Sequence, residues 1–544
     1  MKKPIKSIMC LLLSAVLLTG CASGAATGAQ TDRAQINIVD AGGTAAPDAS
    51  SDMSDKTGIS GISQPDVQTL PDESRDTAEA DPTEETASDE PFEIVIPYTE
   101  EADPDTEDTV YPEDVASPED TVSPEDVADE SEEIEDVKPT EEIADETDDT
   151  EDVASPEDVT DENDPVTPPP VDYGKNSYNA LNHAEVQGVW ISYLELSTLL
   201  KGQSESAFTA NIGAALDNCK NAGLNTVYIH ARSHSDAYYS SQLFPWSKYV
   251  TGSIGADPGF DPLEIVIQQA HARGISVHAW INPLRAYSTS DMGSYGSYPA
   301  AEWLNGGTRL VEVGGYYYLN PAYDEVIRLI ADGAREIVSN YDVDGLHIDD
   351  YFYPTTDASF DSTAFSQSGR SDLAAFRFDN CDRLVSAIYD AVKAANPTAL
   401  FSVSCQGSIE NNYNLMYADV EKWCAESGYL DYIVPQIYYG FRNSTQPYSQ
   451  CLSRWEQLAA AGGKPLVVGL SVSKIGYEDT WAGDGKTEWL TDSAILARQL
   501  QEAMECGSYG GAALYSYRSI FLPDSAVKAQ VDSEMAEYIN IIKR

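Results

Sequence analysis

From about residue 176 onward the chain alternates between short apolar runs that fit strands and longer runs of helical period. The strand candidates are "EVQGVWISYLE" (185–195), "NTVYIHAR" (225–232), "SVHAWINPLR" (276–285), "GLHIDDYFY" (345–353), "LFSVSCQG" (400–407), "YIVPQIYYGF" (432–441), "PLVVGLSVSKIG" (465–476) and "AALYSY" (512–517). Amphipathic stretches such as "DPLEIVIQQAHARG" and "YDEVIRLIADGAREIVSNY" lie between them, and "AVKAQVDSEMAEYINIIK" follows the eighth. Gly223 and Gly274 stand where two of these helices end. Parallel strands buried on both faces need apolar runs of this kind and a helical crossover between neighbours. Eight such units predict an α/β chain folded as a (β/α)8 TIM barrel over 176–544. A doubly wound open sheet is the competing arrangement, but neither GxGxxG nor a P-loop follows any strand. Long connections follow the second strand (233–260) and the third (286–322). Both leave strand C-termini, the face on which such barrels carry their sites.

The first 175 residues are of another kind. "MKKPIKSIMCLLLSAVLLTGC" combines a basic head with an apolar run from Ile8 to Leu18, too short to span a bilayer. It ends in Leu18-Thr19-Gly20-Cys21 and resembles a bacterial lipoprotein signal, which implies removal of residues 1–20 and lipidation of Cys21. A secretory signal cut nearby without lipid is the alternative. Residues 21–175 then read as a disordered acidic tether rich in Pro, Glu and Asp. About 48 of the 90 acidic residues lie between Ala22 and Asp172, against about 4 basic ones. The phrase "SPED" recurs there, and "FEIVIPY" (92–98) is its one apolar island. The expected location is extracytoplasmic, lipid-anchored to the cell membrane, with the domain reaching into the cell wall. A net charge of −58 argues against a nucleic-acid partner. The six cysteines beyond the signal show neither CxxC nor zinc-site spacing, so no metal or other cofactor is expected. Disulfides and buried free thiols both remain open for them.

Polar and aromatic residues gather at the predicted strand ends, a composition that suits a sugar. In "DVDGLHIDDYFYP" (342–354) strand alternation puts His347 and Asp349 on one face and Leu346 and Ile348 on the other. Asp349 then points into the barrel mouth, with Asp350 at the bend beside it. Two carboxylates this close resist ionising together, so one retains its proton. A protonated carboxylic acid beside a carboxylate is the apparatus of glycosidic bond cleavage. Asp349 and Asp350 are therefore the expected catalytic pair, with Asp236 or Glu195 as substitute acid. His230, Arg232, Asn282, Arg285, His347, Tyr351, Gln436, Tyr438 and Tyr439 are the expected sugar contacts. In the competing reading the two aspartates cap the following turn or pair with Arg232 or Arg285. His347 is then a core histidine, and Asn282 and Arg285 are structural.

The segments "ARSHSDAYYSSQLFPWSKYVTG" (231–252), "DPGFDPLEIVIQQAHARGISVHAWINPLR" (257–285), "YLNPAYDEV" (318–326), "DVDGLHIDDYFYP" and "DYIVPQIYY" (431–439) together resemble the glycosyl hydrolase-like family 10. The resemblance covers nearly the whole domain and none of the tail. It implies a TIM barrel, glycoside hydrolysis and a bacterial cell-wall substrate, peptidoglycan strands stripped of their peptides. "DGLHID" is also similar to the nucleophile segment of the alpha-amylase superfamily, which falls on Asp349. The fifth strand, however, offers Gln406 where that superfamily has its acid. By similarity to the Asp-Glu pair of hexosaminidases, Asp349 would orient an N-acetyl group and Asp350 would protonate, with Gln436 and Tyr438 near the acetamide. The expectation is a surface glycoside hydrolase acting on N-acetylated wall glycan. A glycan-binding anchor on a disabled barrel and a glycosidase for another polysaccharide are the alternatives.

Overall fold

The computed structural model describes residues 173–304 and 306–544. The signal, Cys21 and the acidic tether up to residue 172 lie outside the described residues. Eight parallel strands close into a barrel: β1 (Val186–Ile191), β2 (Thr226–Arg232), β3 (Ser276–Ile281), β4 (Gly345–Ile348), β5 (Leu400–Val403), β6 (Tyr432–Ile433), β7 (Leu466–Ser471) and β8 (Tyr509–Tyr515). Each strand pairs with its neighbours in sequence, and β8 returns to β1 with Val186 opposite Gly511. Helices between successive strands form the outer layer. The (β/α)8 expectation therefore holds.

The alternation of strand side chains divides the core in two. Outward residues such as Val227, Ile229, Leu346 and Ile348 pack with the helices into the main apolar core. Inward residues, among them Trp190, Tyr228, Trp280 and Tyr432, form a separate cluster inside the barrel. The lumen is thus filled largely by rings, and small residues make room for them. At Gly345 of β4 a Cβ would collide with the His278 ring, so only glycine fits there. Tyr228, Tyr432 and His278 are linked at this depth by 3.1 Å hydrogen bonds between their polar ends.

Three departures from the sequence reading have local causes. The first strand ends at Ile191, because Ser192 starts a helix (Tyr193–Leu200) through a reciprocal capping box with Glu195. The sixth strand keeps two ladder residues, since Pro435 has no N–H to donate. Isolated parallel bridges from Gln436 to Gln406 and to Gly469 carry its register onward to the rim. The connection after β3 is more than a loop. It holds a three-stranded antiparallel sheet of Arg285–Ser288, Leu310–Val313 and Tyr316–Leu319. Gly314 and Gly315, both at positive φ, make the tight turn of its hairpin.

The opposite end of the barrel is tied shut around Asp344, which precedes β4. Its carboxylate accepts from Tyr178 Oη at 2.9 Å and from the Leu181 and Val277 amides, and faces His271 Nε2 at 2.8 Å. The chain thus enters the barrel on the face away from the strand C-termini. All six cysteines in this region are free thiols, five of them buried. Among the described residues no helix is long and apolar enough to cross a membrane.

Candidate active site

β4 ends at Ile348, and the next two residues are the paired aspartates. Asp349 is only 4% exposed and Asp350 only 5%, so both carboxyls sit at the base of the mouth rather than on its rim. Asp349 Oδ2 accepts a short hydrogen bond from Asn282 Nδ2, just past the end of β3, and its Oδ1 accepts from the Tyr351 amide at 3.4 Å. Asp350 is served from the other side by the amides of Gln406 and Gln436, carried past the ends of β5 and β6. Burial pushes the Asp349 carboxyl up to about 8, with the Asp350 charge adding to it and the Asn282 donor opposing. Burial raises Asp350 to about 6 against the two glutamine donors. The adjacent pair shares its protons. Both shifts favour one retained proton near neutral pH.

The other expected residues fall into four groups. Asn282 and Tyr351 contact Asp349, with His230 behind Asn282 and Arg285 against the Tyr351 ring. His230 Nε2 lies 3.0 Å from Asn282 Oδ1, and its ring stacks on Trp280. The Arg285 guanidinium lies over the Tyr351 ring at 4.9 Å and near that of Tyr193 at 5.6 Å, lining one wall with a cation among aromatic faces. Gln436, Tyr438 and Tyr439 form the wall on the Asp350 side. Tyr438 packs edge-on against Trp190 and tilted against Tyr515. Tyr439 lies over Gly407, with Lys474 Nζ 5.9 Å from its ring.

His347 shares the inward face with Asp349 as expected but lies one layer deeper and is wholly buried. Its Nε2 faces the Trp190 indole N–H at 3.1 Å and its Nδ1 the Ser402 hydroxyl at 2.8 Å. An indole N–H can only donate, so Nε2 accepts and the ring is neutral, in line with the low proton affinity that burial imposes. It is a supporting histidine under the site, and both ring nitrogens are taken by protein.

Arg232, Asp236 and Glu195 lie elsewhere. β2 carries a bulge between His230 and Arg232: His230 pairs with Trp280, yet Arg232 already pairs with Ile281. The extra residue reverses the alternation, so His230 points inward and Arg232 outward. The guanidinium stacks 4.2 Å over Phe244, beneath Gly333 of the helix Asp324–Asn340. Asp236 is fully buried. Its Oδ1 accepts from the Ser233 and His234 amides and its Oδ2 from Tyr287 Oη at 2.6 Å, so it closes a turn. Glu195 is the capping-box carboxylate, with further donors from the Ser516 hydroxyl and the Arg518 amide. Burial raises its proton affinity while these donors lower it. Neither carboxylate is a spare acid.

Trp280 and Trp190 were missed by the sequence reading. Trp280 sits two positions before Asn282 on β3, stacks on His230 and places its indole N–H near Asp349. Trp190 lies at the centre of the ring cluster of Tyr228, His347, Tyr438 and Tyr515. The period-two parity that singled out Asp349 also picks both tryptophans, two positions before the strand-end residues Ser192 and Asn282. Gln406, read only as a missing acid, is a donor to Asp350. Among the described residues no group of three or more His, Cys, Asp or Glu could hold a metal ion.

The chain is 31% identical over 353 residues to the glycosyl hydrolase YngK of Bacillus subtilis, covering 59% of this chain and 67% of that protein. It is 31% identical over 299 residues to the glycosyl hydrolase DigH of Escherichia coli K12, covering 50% of this chain and 68% of that protein. Among solved structures, the PgaB (BpsB) glycoside hydrolase domain from Bordetella bronchiseptica aligns with a TM-score of 0.43 at 15% identity, covering 65% of this chain and 99% of that one. The family profile described as Glycosyl hydrolase-like 10 matches residues 185–483. That span runs from the first barrel strand to the connection after the seventh and takes in both aspartates, and it makes this chain a member of the Glycosyl hydrolase-like 10 family.

Proposed function

We propose that the barrel is a glycoside hydrolase that cleaves N-acetylated bacterial cell-wall glycan, in particular strands stripped of peptide, through Asp349 and Asp350. The observation that carries this reading is the buried pair itself: adjacent carboxyls, both raised by burial, with separate amide donors on each side. One carboxyl of the pair, protonated, gives its proton to the glycosidic oxygen as the bond to the anomeric carbon breaks. The other, ionised, stabilises the positive charge that develops on the sugar ring, and water then adds to the anomeric carbon and returns a proton to the pair. Tyr438, Tyr439 and Tyr515 offer rings for a sugar and for an acetamide methyl, while Gln406 and Gln436 offer amides for its polar groups. The relatives named glycosyl hydrolases support the reaction class. We place the enzyme outside the cytoplasm, lipid-anchored at Cys21, with residues 21–175 as an acidic tether through the wall.

The test is incubation of the full chain with starch, chitin oligomers and peptide-free peptidoglycan strands, followed by mass spectrometry. New reducing ends on the peptidoglycan strands alone support the proposal, whereas cleavage of starch would move the substrate elsewhere. The end of β5 provides Gln406 rather than a carboxylate, which favours a second reading, a glycan-binding anchor. Retention of strands without any new reducing end would establish that reading instead.

A further inference from the structure

The Asn282 amide touches Asp349, but on its own an amide can present either its N–H2 or its oxygen. A chain of contacts behind it settles the choice. The Tyr193 backbone N–H points at His230 Nδ1 at 2.9 Å. A backbone N–H only donates, so Nδ1 is an acceptor and the ring is neutral with its hydrogen on Nε2. Nε2–H then donates to the Asn282 atom 3.0 Å away, which must be the oxygen. The Asn282 N–H2 is left facing Asp349 Oδ2. The ring is held in this plane by stacking on Trp280 at 3.4 Å between centroids and by the edge contact with Tyr193. Both of its ring nitrogens are engaged by protein, which leaves it no polar atom for a sugar.

We propose that His230 is a positioning residue for Asp349: it fixes which end of the Asn282 amide the carboxyl meets, and so keeps a hydrogen-bond donor on the Asp349 carboxylate. This rests on the reading of Asp349 and Asp350 as the acid pair. Loss of the His230 donor frees the Asn282 amide to turn its oxygen toward Asp349, which favours the protonated carboxyl. The charged and titratable groups around the relay are Asp350 at the same strand end, Arg285 and Tyr351 on the wall, His234 on the turn after β2 and His347 below. Burial drives the proton affinity of His230 well below the ordinary histidine value, and the Arg285 charge lowers it further.

The first test uses the unaltered full chain, labelled with 15N-histidine. The relay requires one ring that keeps a neutral Nε2–H tautomer from pH 5 to pH 9 and that disappears from the spectrum of His230→Gln. An Nδ1–H tautomer at His230, or a ring titrating near 6.5, would overturn the proposal. The second test compares pH–rate profiles on peptide-free glycan strands for His230→Asn and His230→Gln, with Asp349→Asn alongside. Glutamine can place a donor where Nε2 stood and asparagine cannot. His230→Asn should lower kcat about 100-fold with KM little changed and move the alkaline limb up by about one pH unit. His230→Gln should restore the limb. A merely structural histidine would lower the melting temperature and leave the limb in place in both variants, which sinks the relay. If Asp349→Asn is as active as the parent, the acid-pair reading has failed first.

Discussion

Asp349→Asn should abolish turnover and yet make the protein more stable at alkaline pH. The substitution keeps the shape of the side chain, and the carbonyl of the new amide accepts from Asn282 as the carboxylate does. What it removes is a buried charge. The Asp349 carboxyl has its proton affinity raised from an ordinary value of 3.8 to about 8. A folded-state value above the unfolded one means that the folded protein holds the proton more tightly. The stabilising contribution is then fully present below about pH 4 and is lost as pH rises through about 8. Each unit is worth about 1.4 kcal/mol, so the shift caps the loss at roughly 6 kcal/mol. Sharing of the proton with Asp350 and relaxation of the site bring the expected difference to ~2–3 kcal/mol at pH 9. Urea unfolding of both proteins at pH 4, 6, 7.5 and 9 measures it. The variant should match the parent at pH 4 and exceed it progressively above pH 6. A variant that is the less stable one at pH 9 would mean that Asp349 is an ordinary turn cap, and the argument from the buried pair would collapse.

Three further outcomes follow from the same geometry. Arg285→Ala removes the cation between Tyr193 and Tyr351 and should raise KM for glycan about tenfold while lowering kcat less, as steady-state kinetics would show. Glu195→Ala strands three donors at the start of the helix after β1 and at the end of β8. It should cost about 3 kcal/mol in urea unfolding; a loss under 1 kcal/mol would deny its structural role. Gly333→Ala drives a methyl into the Arg232 guanidinium and the Phe244 ring, and should cost at least ~2 kcal/mol by the same measurement.

The barrel was legible because each strand is covered on both faces and so writes an uninterrupted apolar run. Its closure followed from the count of eight. The site was legible where alternation is unbroken, as from His347 to Asp349. It failed where one residue changes the phase. The bulge between His230 and Arg232 turns the arginine to the outer layer, and no residue type in "YIHARSH" announces a bulge. Glu195 is a different failure, since "SYLE" already spells a capping box and argued for a helix start at Ser192. His347 had the right face and the wrong depth. Depth depends on how far β4 slides against β3 and β5, which pairing across the barrel decides. The neutral state of His230 and the direction of the Asn282 amide depend on the Tyr193 N–H, a backbone group that no sequence pattern displays.

The central claim is that Asp349 and Asp350 cleave a glycosidic bond. The most direct measurement is the rate at which new reducing ends form on peptide-free, N-acetylated glycan strands, for the full chain and for Asp349→Asn and Asp350→Asn. Turnover by the parent, with each variant slower by at least about a thousandfold and still binding the strands, is the predicted result. Either variant releasing reducing ends as fast as the parent would contradict it.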